Sequence, residues 1–356
     1  MINNRNPFSL KQEEKDKYMT QELLKLTHYH QIHCKAYGRM LDAFAYEAAK
    51  VNHYRELPFL PVSLFKKLTL SSLEDDREDY KVVTSSGTSG QMTSRIILDA
   101  DTRTLQQQAL AVIGGDFLGT KRMPMLVIDC PATVKQRNHF SARTSGIQGF
   151  SIFGTRRTFA LNDDMTLNVE AVREFLEKYG QNPFLIFGFT FMVWQYFCLE
   201  QERQGIYFDC SQGILVHGGG WKKLIEEAVS RQEFKNRLFK VSNIKRVMDY
   251  YGMAEQTGSI FMECECGHLH CSDYSAILFR RPHDFSLCET GEKGLIQVMS
   301  LLPKSYPGHN LLTEDEGRLL GVDDCPCGRA GAYFEVLGRV KNAELRGCSD
   351  TYAAGI

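Results

Sequence analysis

Thr84-Ser85-Ser86-Gly87-Thr88-Ser89-Gly90 concentrates hydroxyls and glycines in one short stretch. Phosphate oxygens need a concave array of donors, and this composition supplies one. Gly87 and Gly90 let backbone N–H groups approach closely, while the Ser and Thr side chains add O–H donors. No Gly-Lys-Ser/Thr follows, so this is not a Walker A loop. A plain Ser/Gly surface loop has the same composition. The flanking runs Tyr80-Lys81-Val82-Val83 and Ile96-Ile97-Leu98 favour a loop held between two strands.

Two further turns have the right chemistry. Tyr250-Tyr251-Gly252-Met253-Ala254-Glu255 follows an apolar run at 246–249. Loops at the carboxyl ends of strands are where open α/β sheets bind ligands. A tyrosine ring there can stack on a base, and Glu255 can offer an oxygen to Mg²⁺. His217-Gly218-Gly219-Gly220 follows Ile214-Leu215-Val216 and is expected to open a helix at Trp221, whose N-terminus would favour an anion. His217 alone reads as structural.

Cysteines form the third pattern. The chain has 11, and Cys264-Glu265-Cys266-Gly267 and Cys325-Pro326-Cys327-Gly328 repeat one Cys-x-Cys-Gly knuckle. Two such knuckles can close a tetrahedral Zn²⁺ site with no open position for water, with His270 and Cys271 as further candidates. A secreted disulfide framework fits neither the length nor this spacing.

The elements that must position these groups are legible in outline. The 356 residues are 43% apolar, enough for a sizeable core, and net charge is -1. No polybasic run is present, which argues against nucleic acid or an anionic membrane as partner. Residues 1–17 are polar, and the longest apolar run, Phe184–Trp194, is too short to span a bilayer, so a cytoplasmic protein is expected. Spaced apolar positions over 10–55 (Leu23, Leu24, Leu26, then Met40, Leu41, Phe44, Ala45) predict helices. Leu57-Pro58-Phe59-Leu60-Pro61 reads as an extended entry to the core. Short apolar runs at 125–128, 184–187, 214–216 and 246–248 read as buried strands. Helices are expected over 165–179 and 221–239. This alternation predicts an α/β fold with a largely parallel sheet, giving way to a β-rich region from about 275. The aromatic stretch 187–194 suits an acyl pocket or plain core equally well.

Taken together, Thr84–Gly90, Gly218–Gly220, Tyr251-Gly252-Met253-Ala254-Glu255, Thr313-Glu314-Asp315 and Gly338-Arg339 resemble the acyl-adenylate-forming superfamily. The branch they resemble is the LuxE-type acyl-protein synthetases, related to the phenylacetate–CoA ligases. Leu57–Lys66 and Gly338–Cys348 fit that branch, and the resemblance covers about 57 to 350.

The resemblance implies ATP-dependent activation of a fatty acid as acyl-AMP. Residues 84–91 would hold the phosphates, Gly218, Gly219, Gly220 and Tyr251 would line the adenine, Gly252 would also belong to the cofactor site, Asp315 would accept from the ribose hydroxyls, and Arg339 would reach the nucleotide. Glu255 would bind Mg²⁺, and a histidine such as His270 would be a fourth zinc ligand. Cys348 would take the acyl group from AMP, with Arg346 favouring its thiolate. An acyl reductase or carrier is the implied partner. The implied organisation is an N-terminal helical layer over 1–56, an adenylate-forming α/β core over 57–338, and over 339–356 a remnant of a C-terminal domain otherwise largely absent. Three departures stand out. Ala254 replaces the usual threonine. Arg95 stands in for a missing lysine. The lysine of the family's C-terminal domain has no counterpart, leaving Lys222 or Lys223 as candidate cations. An acyl- or aryl-CoA or carrier-protein ligase, and a non-catalytic zinc-stabilised nucleotide-binding relative, are the alternatives.

Overall fold

The computed structural model describes residues 6–74, 79–84, 93–135, 142–221 and 227–340. They divide between Ile113 and Gly114, and again between Tyr251 and Gly252, into two compact units.

The first unit begins with the helix Gln12–His33. Its Met19, Leu23, Leu26, Thr27 and His30 are buried, the i, i+4, i+7, i+8 spacing of one helical face. A second helix, Lys35–Ala43, buries Tyr37 and Leu41, while Phe44, expected on the apolar stripe, is 56% exposed because the helix ends there. The proline-rich entry is extended: β1 (Leu60–Pro61) lies parallel to Leu311–Leu312. The Asn310 amide holds it by donating to the carbonyls of Leu57 and Pro58. β2 (Lys81–Thr84) and β3 (Arg95–Leu98) then pair antiparallel, with Thr84 opposite Arg95.

The second unit is built on a parallel sheet of β4 (Met123–Val127), β5 (Gly154–Phe159), β6 (Phe184–Phe189), β7 (Gly213–Gly218) and β8 (Arg246–Tyr251), in the order β5-β4-β6-β7-β8. Every residue of β6 and β7 is buried, as strands covered on both faces require. The order reverses direction between β4 and β6, which is the topological switch point of such a sheet and the place where open α/β sheets bind ligands. Helix Val169–Tyr179 is capped by Asn168, whose side chain accepts from the Ala171 N–H. The helix expected over 221–239 is different. Trp221 is not helical, 222–226 lie outside the described residues, and the helix runs Arg231–Ser242. Ser230 sets that start, its hydroxyl accepting from the Glu233 N–H.

The chain returns to the first unit through β9 (Phe261–Met262), β10 (Leu269–His270), β11 (Ser275–Arg280), β12 (Gly294–Ser300), β13 (Asn310–Val322) and β14 (Ala332–Arg339). The sheet order β10-β14-β13-β12-β11 is antiparallel, the β-rich region expected from about 275. The fold is thus α/β with a parallel sheet and a separate antiparallel region. No described helix is long and apolar enough to cross a membrane.

Candidate functional site

Within the second unit, the glycine turn and Tyr251 lie at the carboxyl ends of β7 and β8, the second and third strands beyond the switch point. Gly218 ends β7, and Gly219 and Gly220 follow at φ +84° and +66°. A Cβ on Gly218 would sit 2.6 Å from the Tyr250 carbonyl oxygen, and one on Gly219 would penetrate the Phe189 ring. Only glycine allows this chain to lie flat between those neighbours. Tyr251 is the last residue of β8. The segment after β4 is pinned by a buried ion pair: Arg143 and Asp129 are 4% and 2% exposed, and the Arg143 Nε donates to Asp129 Oδ2 at 2.8 Å. Asp129 also accepts from the Cys130 N–H and the Thr133 hydroxyl. Burial opposes the guanidinium charge, but Asp129 and Cys130 together raise the pKa of Arg143. The aromatic stretch 187–194 is core: Phe187, Phe189, Phe191, Met192, Val193 and Trp194 are all buried.

Within the first unit, Glu255 lies in the single-turn helix Ala254–Gln256 and is 1% exposed. The turn is braced: the Tyr306 hydroxyl donates to the Glu255 carbonyl at 2.8 Å, and the Gln256 amide donates to the carbonyls of Val298 and Gly308. One buried carboxylate fits Mg²⁺, which takes one or two carboxylates and fills its octahedron with phosphate oxygens and water. Asp315 on β13 is in register with Arg339 at the end of β14. The Arg339 guanidinium pairs with Glu314. Gly252 follows β8 and is exposed, Thr84 ends β2, and Arg95 faces it. Ser85, Ser86, Gly87, Thr88, Ser89, Gly90, Lys222, Lys223 and Cys348 lie outside the described residues.

The same unit gathers a metal-ligand set. The ligand atoms of Cys264, His270, Cys325 and Cys327 all lie within 4.8 Å of one another. Cys327 Sγ is 3.4 Å from His270 Nε2, and the sulfurs of Cys264 and Cys325 are 3.9 Å apart. Both knuckles make the same turn. Gly267 donates to the Cys264 carbonyl and Gly328 to the Cys325 carbonyl, with φ +81° and +83°. Their side chains then diverge: Cys325 and Cys327 both enter the cluster, but Cys266 is exposed and His270 completes the set. Cys271 is buried elsewhere, beside Lys15, and burial pushes its thiol up to about 12. Burial also raises Cys264 and Cys325, so without a cation these neighbouring thiols resist ionising. Three sulfurs and an imidazole at this spacing fit Zn²⁺, whose charge would hold them as thiolates.

His268 escaped the sequence reading. Its Nδ1 is 3.3 Å from Cys325 Sγ, and its ring stacks on Tyr333. It lies two residues before His270, so an extended backbone places both imidazoles on one face. The spacing His-x-His beside a knuckle was the available signal.

Comparisons with known proteins follow the same lines. The family model described as acyl-protein synthetase, LuxE matches residues 1–355. The chain is 24% identical over 348 residues to a long-chain-fatty-acid–luciferin-component ligase of Vibrio harveyi, covering 94% of this chain and 88% of that protein. It is also 24% identical over 304 residues to the protein of the same description from Aliivibrio fischeri, covering 83% and 77%. Among solved structures it resembles 2-hydroxyisobutyryl-CoA ligase in an open conformation, with TM-score 0.70 and 14% identity over 96% of this chain and 79% of that one. That last likeness is one of fold.

Proposed function

Because this chain belongs to the acyl-protein synthetase (LuxE) family, we propose that it activates a fatty acid with ATP and transfers the acyl group to its own Cys348. In the first step a carboxylate oxygen of the acid attacks the α-phosphorus of ATP, and pyrophosphate leaves. In the second the Cys348 thiolate attacks the acyl carbonyl carbon, and AMP leaves. Bound Mg²⁺ would offset phosphate charge in the first step, with Glu255 as its protein ligand. Thr84 to Gly90 would hold the phosphates, Gly218 to Gly220 with Tyr251 would line the adenine, Gly252 would also belong to the cofactor site, Asp315 would accept from the ribose hydroxyls, and Arg339 would reach the nucleotide. Cys264, His270, Cys325 and Cys327 would hold a structural Zn²⁺ that ties the segment after Glu255 to the turn between β13 and β14. The downstream consumer would be an acyl reductase or carrier, in a cytoplasm that keeps these thiols reduced.

The observation that carries this reading is the glycine turn leaving the carboxyl end of β7, two strands from the switch point, in a chain whose family match spans its length. The experiment incubates the protein with ATP, Mg²⁺ and labelled fatty acids and follows it by mass spectrometry. A hydroxylamine-labile thioester on Cys348, lost in Cys348→Ser while ATP–pyrophosphate exchange persists, is the expected result. Acyl-CoA formed with no labelled protein would replace this reading with a CoA ligase. Nucleotide binding with no exchange for any acid would replace it with the non-catalytic relative that Ala254 brings to mind.

A further inference from the structure

Thr190 is the first residue after β6, and its side chain has two partners within the same unit. Its hydroxyl donates to the Gly218 carbonyl at 3.1 Å and lies 3.0 Å from His217 Nδ1. Both Thr190 and His217 are 6% exposed. A hydroxyl has one proton, and here it goes to Gly218, so Oγ1 must accept from His217. That fixes the histidine as the Nδ1–H tautomer. Asp249 Oδ1, 3.8 Å from the same nitrogen, favours the same proton position. Burial, reinforced by Lys235 and Arg231, pulls His217 down to about 3, so the ring is neutral at working pH.

We infer that Thr190 is a positioning residue for the nucleotide turn, with His217 orienting its hydroxyl. The peptide plane is rigid and trans, so a carbonyl and the following N–H point in opposite directions. Anchoring the Gly218 oxygen on Thr190 therefore turns the Gly219 N–H away from Thr190. Phe189 beneath Gly219 and Tyr250 beside Gly218 leave the turn little room to rotate back. Thr190 acts through the Gly218 peptide. It sets the direction in which the turn presents its backbone, and without it the Gly218 carbonyl loses that side-chain anchor. The inference rests on assigning Gly218 to Gly220 to the adenine end of ATP.

The test measures ATP–pyrophosphate exchange with a fatty acid for the full chain and for Thr190→Val and Thr190→Ser. Valine keeps the shape and removes the hydroxyl; serine keeps the hydroxyl. The valine variant should raise KM for ATP about five- to tenfold, the worth of one buried hydrogen bond, with KM for the acid within about twofold. The serine variant should restore the wild-type value. His217→Phe, which removes the donor behind the hydroxyl, should move KM for ATP in the same direction and serves as the readout if the valine variant does not fold. An unchanged KM for ATP, or equal rises for ATP and acid, in an active enzyme would overturn the positioning role alone. Absence of exchange and of AMP binding in the wild type would overturn the ligase reading and this inference with it.

Discussion

Asp315 stands opposite Arg339 across the β13–β14 pair, yet the Arg339 guanidinium is held by Glu314, one residue earlier on the same strand. Side chains at successive strand positions point to opposite faces, so Glu314 and Asp315 diverge. If Arg339 serves the nucleotide, it must exchange Glu314 for phosphate or ribose.

Glu314→Gln tests that exchange. The pair is partly exposed, with side chains 24% and 26% accessible, so its net worth is at most about 1 kcal/mol. The variant should bind AMP up to about fivefold more tightly by calorimetry, while Arg339→Met should weaken it. A Glu314→Gln protein that binds more weakly would show that the glutamate itself supports the site.

Zinc content follows from the Cys264, His270, Cys325 and Cys327 set. Elemental analysis of protein prepared without chelator should give about one zinc per chain. Cys325→Ser or His270→Ala should lose the metal and lower the melting temperature by about 5–10 °C, whereas Cys266→Ser should leave both unchanged. Metal loss in Cys266→Ser with retention in His270→Ala would reverse the ligand assignment.

Acid should destabilise the fold through buried neutral histidines. Burial pulls His30 down to about 3 despite its hydrogen bond to the Pro303 carbonyl, and it lowers His309, which stacks on His30, well below the ordinary value. His217 is down to about 3 as well. In the unfolded chain each histidine takes up a proton near pH 6.5, while the folded protein excludes it. The unfolded state thus binds more protons below pH 6.5, and stability falls as pH drops from there toward 3. Three such groups give a slope of up to about 4 kcal/mol per pH unit. Urea midpoints from pH 7 to 5 measure it; a flat profile would contradict neutral burial, and His309→Phe should flatten it by about a third if the site accepts the larger ring.

The Asp129–Arg143 pair predicts asymmetric mutational costs. Asp129→Asn leaves a buried guanidinium without its counter-charge and should cost about 3–5 kcal/mol in denaturant unfolding. The double change Asp129→Leu with Arg143→Met should cost markedly less than the sum of the single changes. Additive losses would mean the two side chains do not act as a pair.

Much of the architecture was legible. Fully buried parallel strands are continuous apolar runs, so Phe184–Phe187 and Ile214–Val216 announced themselves, and the same alternation gave the α/β class. Helix limits were less so. The helix expected over 221–239 is described as Arg231–Ser242, its start set by Ser230, whose hydroxyl accepts from the Glu233 N–H, a local cap that apolar spacing does not reveal.

The sequence by itself determined which chemical groups are available: the glycines that must lie flat, the paired Cys-x-Cys-Gly knuckles and the acceptor carboxylates, each set by local composition and spacing. Which of them meet was decided only by the tertiary structure. Cys264 and Cys325 are 61 positions apart and Thr190 and Gly218 are 28 apart, and spacing along a chain does not encode distances of that kind. Cys266 is exposed and His270 takes its place because a metal site needs side-chain directions to converge, and those directions come from strand register and turn geometry rather than from residue type.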